Sequence, residues 1–168
     1  MIKKSFVSRD VNLYVTLYRS FVRPVLEYCN IVWCPHQITL CDQIEAVQKR
    51  FTRLFPDMRN IPYRSRLTKL NMLSLRARRL RYKLIFLFKI VNNLTCLDPS
   101  QYFRFSHSKR HNSLKIVPLP SQRDCRRYCF FVDVVFHWNS MLDCEVLVQN
   151  VNEFKRSVTS YFRRVDVW

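Results

Sequence analysis

The apolar residues at the start of the chain recur at helical spacing and predict a buried pair of helices. Asp10 can cap the first helix, whose apolar positions are Leu13, Leu17, Tyr18 and Phe21. Pro24 suits the first turn of a second helix, because its fixed φ is helical and its missing N–H has no partner there anyway. We expect that helix to end near Trp33, with Arg23 at a proline elbow between the two.

Two further helices are predicted in the middle of the chain. One begins at Asp42 and ends before Pro56, with basic residues opposite an apolar stripe. The stripe consists of Ile44, Val47, Phe51, Leu54 and Phe55. The longest helix follows Ser74, and its inner face is Leu80, Leu84, Leu87, Phe88 and Val91. Asn92 or Asn93 can take the left-handed position at its end that glycine usually fills.

The C-terminal third changes character, first to a polar basic segment and then to two more helices. The polar, basic and proline-containing sequence of residues 104–122 predicts a loop with one strand at 113–117. The first helix after the loop has the inner face Phe131, Val134, Val135, Trp138, Met141 and Leu142, and Asn150 can cap the second. We therefore predict an all-α protein with a helical lobe at 1–103, a basic loop at 104–123 and a small helical lobe at 124–168.

The charge of the chain indicates the class of its partner. Twenty-nine Lys and Arg residues oppose 12 acidic residues in 168, a net charge of +17. That excess favours a polyanion: nucleic acid first, with an acidic membrane surface as the alternative. The absence of glycine argues against phosphate-binding loops, dinucleotide fingerprints and nucleophile elbows, all of which need glycine at a sharp turn. We expect no small-molecule ligand.

The same sequence predicts where the protein is found. No apolar run approaches the length of a membrane span, and no signal peptide is recognisable, so we expect neither secretion nor insertion in a membrane. The seven cysteines have no framework spacing, which favours reduced thiols in the nucleus or cytoplasm.

Catalytic and metal chemistry are weakly represented. Cys29, Cys34, His36 and Cys41 supply enough ligands for zinc, but their spacing lacks a tight knuckle, and we interpret them as a coincidental cluster. The acidic residues are scattered, whereas two-metal polymerases and nucleases need clustered carboxylates. The sequence therefore predicts no enzyme acting alone and no cofactor.

Binding of nucleic acid through the phosphate backbone remains the best-supported chemistry. Five cations crowd the first half of the longest helix, where they repel one another unless an anion compensates them. The predicted contacts are Lys49, Arg50, Arg53, Arg76, Arg78, Arg79, Arg81, Lys83, Arg110, Lys115, Arg126 and Arg127. Tyr63, Tyr82 and Tyr102 lie among basic residues and are candidates for stacking on bases.

Eight runs of the sequence, in order, resemble the C-terminal region of the reverse transcriptase of jockey-like non-LTR retrotransposons. They are "IKKSFVSRD", "LYRSFVRPVLEYCNIVWCPH", "IEAVQKRFTRLF", "MRNIPYRSRLTKLNMLSLRARRLRYKLIFLFKIVNN", "DPSQYF", "RHNSL", "RYCFFVDVVFHWNSM" and "VNEFKRSV". The resemblance implies the helical thumb and the segment after it, which grip the template–primer duplex. The paired-aspartate box and its Mg²⁺ would belong to a palm domain upstream, so the chain looks like a truncated RNA-directed DNA polymerase.

The sequence departs from the family pattern where glycine is lost and positive charge is gained. Asn71 stands where the family often has glycine, and Tyr82-Lys83 replaces a Gly-Asp pair. Three hypotheses follow. The chain grips template RNA or an RNA–DNA duplex, or it is a non-catalytic interaction module that docks on a palm domain or another protein, or it is a remnant without function.

Overall fold

The computed structural model describes residues 10–106, 114–141 and 150–165. Most of these residues are helical, and the prediction of an all-α fold is confirmed. The chain divides into two compact units, Met1–Arg76 and Ala77–Val167. This division falls at a different place from the predicted loop at 104–123, and the predicted lobe boundaries stay a prediction.

The helices of the first unit follow one another with short connections. They are α1 (Val11–Leu17), a π-helical turn (Tyr18–Val22), α2 (Arg23–Glu27), α3 (Asn30–Trp33), α4 (Ile38–Thr52), a 3-10 turn (Pro56–Met58) and α5 (Tyr63–Lys69). Helix α6 (Leu75–Val91) begins at the end of this unit.

The second unit holds the rest of α6, four further helices and one strand pair among its described residues. These elements are α7 (Pro99–Tyr102), β1 (Arg104–Phe105), β2 (Ile116–Val117), α8 (Asp124–Arg127), α9 (Phe130–Ser140) and α10 (Val151–Arg164). The strands are antiparallel, with Arg104 opposite Val117. The strand predicted at 113–117 is thus present at its C-terminal end, while Ser113 lies outside the described residues.

An aromatic cluster forms the core of the first unit. Tyr18 stacks on Phe51 with ring centroids 4.2 Å apart, and Phe55 meets both Phe51 and Tyr14 edge to face. Such pairs contribute about 0.5–1.5 kcal/mol beyond the area they bury. The cluster fixes α1 against α4.

The predicted burial of the whole opening segment is wrong. Beyond Tyr18 several apolar side chains turn to solvent: Phe21, Val25, Tyr28 and Val32 are largely exposed, while Val22 still packs against the core. The π-helical turn explains the change, because its wider turn shifts the phase of the side chains that follow it. Pro24 does lie in the first turn of α2, as expected.

Because the chain lacks glycine, its left-handed backbone positions are occupied by other residues. Asn93 has φ 55° directly after α6, which confirms the prediction for the end of that helix. Asn71 has φ 50° in the connection between α5 and α6. Cys29 has φ 51° between α2 and α3, a conformation that costs cysteine more than asparagine, whose short polar side chain can hydrogen-bond locally.

The core of the second unit is built on Phe154 of α10. Phe154 stacks on Phe88 of α6 at 4.2 Å and meets Trp138 of α9 at 6.0 Å. Asn139 of α9 bonds both the N–H and the carbonyl of Ile116, which ties β2 to that helix. The predicted inner positions Val134, Val135, Trp138 and Met141 are buried, while Leu142 lies outside the described residues.

Two predicted helix caps are confirmed by their hydrogen bonds. The Asp10 carboxylate accepts from the N–H of Asn12 at 3.0 Å, and the Asn150 amide oxygen accepts from the N–H of Asn152 at 2.9 Å. None of the helices in the described ranges is both long and apolar enough to cross a membrane.

Candidate nucleic-acid interface

Helix α4 buries polar residues on the face where the sequence predicted an apolar stripe. Glu45 and Gln48 are buried, while Val47 is exposed and Ile44 is half-buried. A buried polar side chain is tolerated only when its hydrogen bonds are made inside the protein. The contacts of Glu45 and Gln48 therefore determine how α4 can pack.

Gln48 is fully buried and uses both ends of its amide. Its oxygen accepts from the Tyr18 hydroxyl at 3.0 Å. Its nitrogen donates to the Tyr63 hydroxyl at 3.0 Å and to the carbonyl of Leu73 at 2.9 Å. Gln48 thereby joins the π-helical turn, α4, α5 and the segment before α6 through one side chain.

Glu45 holds the first turn of α6. Its carboxylate accepts from the Tyr63 hydroxyl and from the backbone N–H groups of Leu75, at 3.0 Å, and Arg76, at 3.1 Å. A helix N-terminus leaves its first N–H groups without intrahelical partners and carries partial positive charge, so a carboxylate stabilises it. Burial, and then the nearby Glu45 charge, raise the pKa of Tyr63 well above its usual value.

Two cations lie over the ring of Tyr63, and a third acts on one of them. The Lys49 ammonium lies 5.8 Å from the ring centroid and the Arg66 guanidinium 5.4 Å from it. Both are within or near the range of a cation–π contact. Arg53 is close enough for its charge to act on Arg66. We call Lys49, Arg53 and Arg66 the α4–α5 cation cluster.

Arg66 is the most constrained member of the cluster. It is 2% exposed, one terminal nitrogen donates to the carbonyl of Lys49 at 3.3 Å, and its Nε has no hydrogen-bond partner among the described residues. Burial, followed by the charge of Arg53, lowers the pKa of Arg66. Both effects disfavour the charged guanidinium, and both are offset by an anion placed beside it.

Acidic residues compensate this cluster only weakly. Lys49 approaches Asp42 at 3.9 Å, in a pair whose side chains are 42% and 66% exposed. Exposed pairs of this kind contribute about 0–1 kcal/mol. Neither Arg53 nor Arg66 forms an ion pair with a carboxylate in the described part of the chain.

The cations in the first half of α6 are largely engaged within the second unit. Arg78 donates to the Tyr82 hydroxyl at 2.9 Å and lies over its ring. Arg81 donates to Thr159 Oγ1 at 2.8 Å, and Lys83 pairs with Asp133 at 2.6 Å. The mutual repulsion expected along this helix is thus partly relieved from α9 and α10 rather than from outside.

Arg79 and Lys83 do not lie at the surface. They are 2% and 5% exposed, and both terminal nitrogens of Arg79 are buried without a hydrogen-bond partner among the described residues. A phosphate on the surface cannot reach either head. We do not retain these two residues in the interface, because the helix turns them inward with its apolar face.

The remaining predicted contacts are distributed as follows. The exposed ones are Arg50, Arg53, Arg76, Arg126 and Arg127. Those that are half-buried are Lys49, Arg78, Arg81 and Lys115, and Arg110 lies outside the described residues. Lys49 and Arg50 lie on α4, and Arg53 is the residue that directly follows it. Their contact with nucleic acid stays a prediction.

Two sets of basic residues were missed at the level of sequence. Arg66 lies in a short helix with no strong apolar periodicity, so nothing local indicated its burial beside α4. Helix α10 buries Phe154, Val158 and Phe162 and leaves its opposite face to solvent. That face carries the exposed residues Arg156, Arg163 and Arg164. The apolar stripe of α10 is visible in the sequence, and it could have identified this opposite, basic face.

The proposed stacking tyrosines are placed differently from one another. Tyr63 is enclosed by its hydrogen bonds and two cations, and Tyr102 stacks on Phe131 with ring centroids 4.5 Å apart. Both rings therefore have structural partners already. Tyr82 is half-buried beneath Arg78.

The possible zinc ligands do not come together as a site. Within residues 10–106, 114–141 and 150–165, no group of three or more His, Cys, Asp or Glu side chains is arranged to hold a metal ion. Cys29 is exposed, while Cys34 and Cys41 are half-buried.

Comparison with known proteins does not place the chain in a family: no family model, no curated protein and no solved structure matches it.

Proposed function

We propose that this chain binds the phosphate backbone of RNA or of an RNA–DNA duplex through the α4–α5 cation cluster. The observation that carries the proposal is the exposed Arg53, whose charge acts on the buried Arg66, while neither arginine forms an ion pair with a carboxylate in the described part of the chain. Phosphate oxygens suit such a site, because guanidinium groups form charge-assisted hydrogen bonds with them.

The net charge of +17 supports the same class of partner. Contacts to phosphate need no base-specific geometry, so exposed cations around the cluster add affinity without specificity. Arg50 and Arg76 are such residues in the first unit. The second unit has further exposed arginines, on α8 and on the outer face of α10.

The test compares two exposed arginines of the first unit. Arg53→Gln removes a charge from the cluster, and Arg59→Gln removes the same charge from an exposed position after the 3-10 turn. Binding of a labelled RNA–DNA duplex is measured by fluorescence anisotropy over a range of salt concentrations. We expect the slope of log K against log salt to fall by about 0.9 for Arg53→Gln, the loss of one phosphate contact, and to stay unchanged for Arg59→Gln.

The experiment tests the position of the binding site and the binding function separately. Equal slopes for the two variants and the parent chain would remove the α4–α5 cluster from the interface. Failure of the parent chain to bind either RNA or the duplex at low salt would overturn the function itself.

A second candidate function, a protein-interaction module, is favoured by the exposed apolar segment of the first unit. Phe21 is 68% exposed, Tyr28 77% and Val32 84%, and Ile38 at the start of α4 is 70% exposed. Large apolar side chains exposed along one segment are a feature of interaction sites. Size-exclusion chromatography with and without RNA distinguishes the two: an interaction module self-associates irrespective of RNA, whereas a binder of RNA shifts with it.

The resemblance to the thumb and post-thumb region of a jockey-like reverse transcriptase gives this proposal a context. In that context the partner is a template held against an upstream palm domain, and the palm supplies the catalytic aspartates and Mg²⁺. A remnant without function is the third possibility, and it predicts little or no protein in cells.

A further inference from the structure

Two thiols of the first unit approach one carbonyl oxygen. Cys41 Sγ donates to the oxygen of Pro35 at 3.3 Å, and Cys34 Sγ lies 3.9 Å from the same atom. Cys34 directly follows α3 and Cys41 lies in the first turns of α4, so both thiols lie at the connection between these helices. The other described cysteines share no such acceptor.

The shared acceptor limits the separation of the two sulfur atoms. They cannot be farther apart than the sum of their distances to the Pro35 oxygen. Rotation about the two Cα–Cβ bonds moves each sulfur without moving the backbone, and a disulfide needs sulfurs about 2.0 Å apart. Both side chains are half-buried, which leaves them open to a small reagent.

We propose that Cys34 and Cys41 form a reversible disulfide by exchange with a small disulfide of the oxidised-glutathione class. The thiolate of one cysteine attacks a sulfur of the reagent, forms a mixed disulfide and releases one thiol. The second cysteine, as thiolate, then attacks the protein sulfur of the mixed disulfide and expels the other thiol. The protein loses two electrons and two protons, and the reagent is reduced to two thiols.

The bond would close a small ring over the connection from α3 to α4. In the reduced chain the Pro35 carbonyl accepts from both thiols, and on oxidation it loses both donors. The ring would enclose residues 34–41, which carry the exposed side chains of Ile38 and Leu40. Oxidation therefore acts on the apolar surface of the first unit.

The sequence allows the bond to be mapped in the full chain. Chymotrypsin cleaves after aromatic residues and leucine, and Trp33, Leu40 and Phe51 place Cys34 in the peptide 34–40 and Cys41 in the peptide 41–51. The purified chain is treated with oxidised glutathione, free thiols are blocked with N-ethylmaleimide, and the digest is analysed by mass spectrometry before and after reduction. We expect the two peptides to be joined to each other and to separate on reduction.

Two variants control the assignment. In Cys34→Ser we expect Cys41 to retain a glutathione adduct, because the resolving thiol is gone. Cys125→Ser removes an exposed thiol of the second unit and leaves the 34–41 link unchanged. The proposal is overturned if, in the parent chain, Cys34 and Cys41 keep separate glutathione adducts, join other cysteines, or stay unmodified while Cys125 reacts.

Discussion

Glu45→Gln tests whether a carboxylate from α4 holds the start of α6. Three donors converge on the two oxygens of Glu45: the Tyr63 hydroxyl and the Leu75 N–H on Oε1, and the Arg76 N–H on Oε2. In the amide one of these positions becomes an NH₂ group, which cannot accept. Whichever way the amide is oriented, at least one donor then faces another donor.

The magnitude follows from the lost interactions. A hydrogen bond to a charged group contributes about 1.5–3 kcal/mol, and the charge at a helix N-terminus about 0.3–1 kcal/mol more. We therefore expect Glu45→Gln to lower the free energy of unfolding by about 2–4 kcal/mol. Urea denaturation at neutral pH, followed by far-UV circular dichroism, measures it.

Glu153→Gln is the matched control. Glu153 lies exposed in the first turn of α10 and makes no hydrogen bond or ion pair with the described residues, so it loses only the dipole contribution, about 0.3–1 kcal/mol. If Glu45→Gln costs no more than Glu153→Gln, the carboxylate does not hold α6 and the reasoning from buried acceptors fails.

Two further predictions concern Tyr63 and Cys29. The pKa of Tyr63 is raised in the folded chain, so its contribution to the free energy of unfolding is fully present below the unfolded tyrosine pKa of about 10 and is lost as the pH rises above that value. Tyr63→Phe should therefore reduce the loss of stability between pH 9 and pH 11, about one unit either side of that pKa. Denaturant titrations that show the same loss in both proteins would contradict this. Cys29→Gly should raise the free energy of unfolding by about 0.5–1 kcal/mol, because glycine relieves a left-handed position at Cys29. Asn93→Gly should gain less, since asparagine tolerates that conformation better, and equal changes in thermal melts would argue against strain at Cys29.

The features that could be predicted from sequence are local ones. Asp10 and Asn150 cap their helices, and Asn93 takes the left-handed position, because each of these roles depends on a few neighbouring residues. The inner positions of α9 follow from helical periodicity in the same way.

Periodicity found Phe51 and Phe55, which are buried, but not the polar residues of the buried face of α4. Glu45 and Gln48 are acceptable in the core only because Tyr18, Tyr63 and the start of α6 supply their hydrogen bonds, and those partners lie 15–31 residues away in sequence. Periodicity assigns an inner face by hydrophobicity alone, so it chose Ile44 and Val47. The burial of Arg66, and with it the cation cluster, depends on the same long-range arrangement.

The row of cations on α6 shows why charge in a sequence is a poor guide to an interface until burial is known. Reversing the charges of Arg78, Arg79 and Arg81 looks like a direct test of phosphate binding. In the folded chain, however, Arg81 donates to Thr159 and Arg79 is buried, so the substitution would leave buried acidic groups in the second unit. Loss of binding would then report loss of folding. Arg53 lies at the surface of the first unit, where a neutral substitution removes charge without disturbing a described contact, and the salt slope of that variant is therefore the decisive measurement.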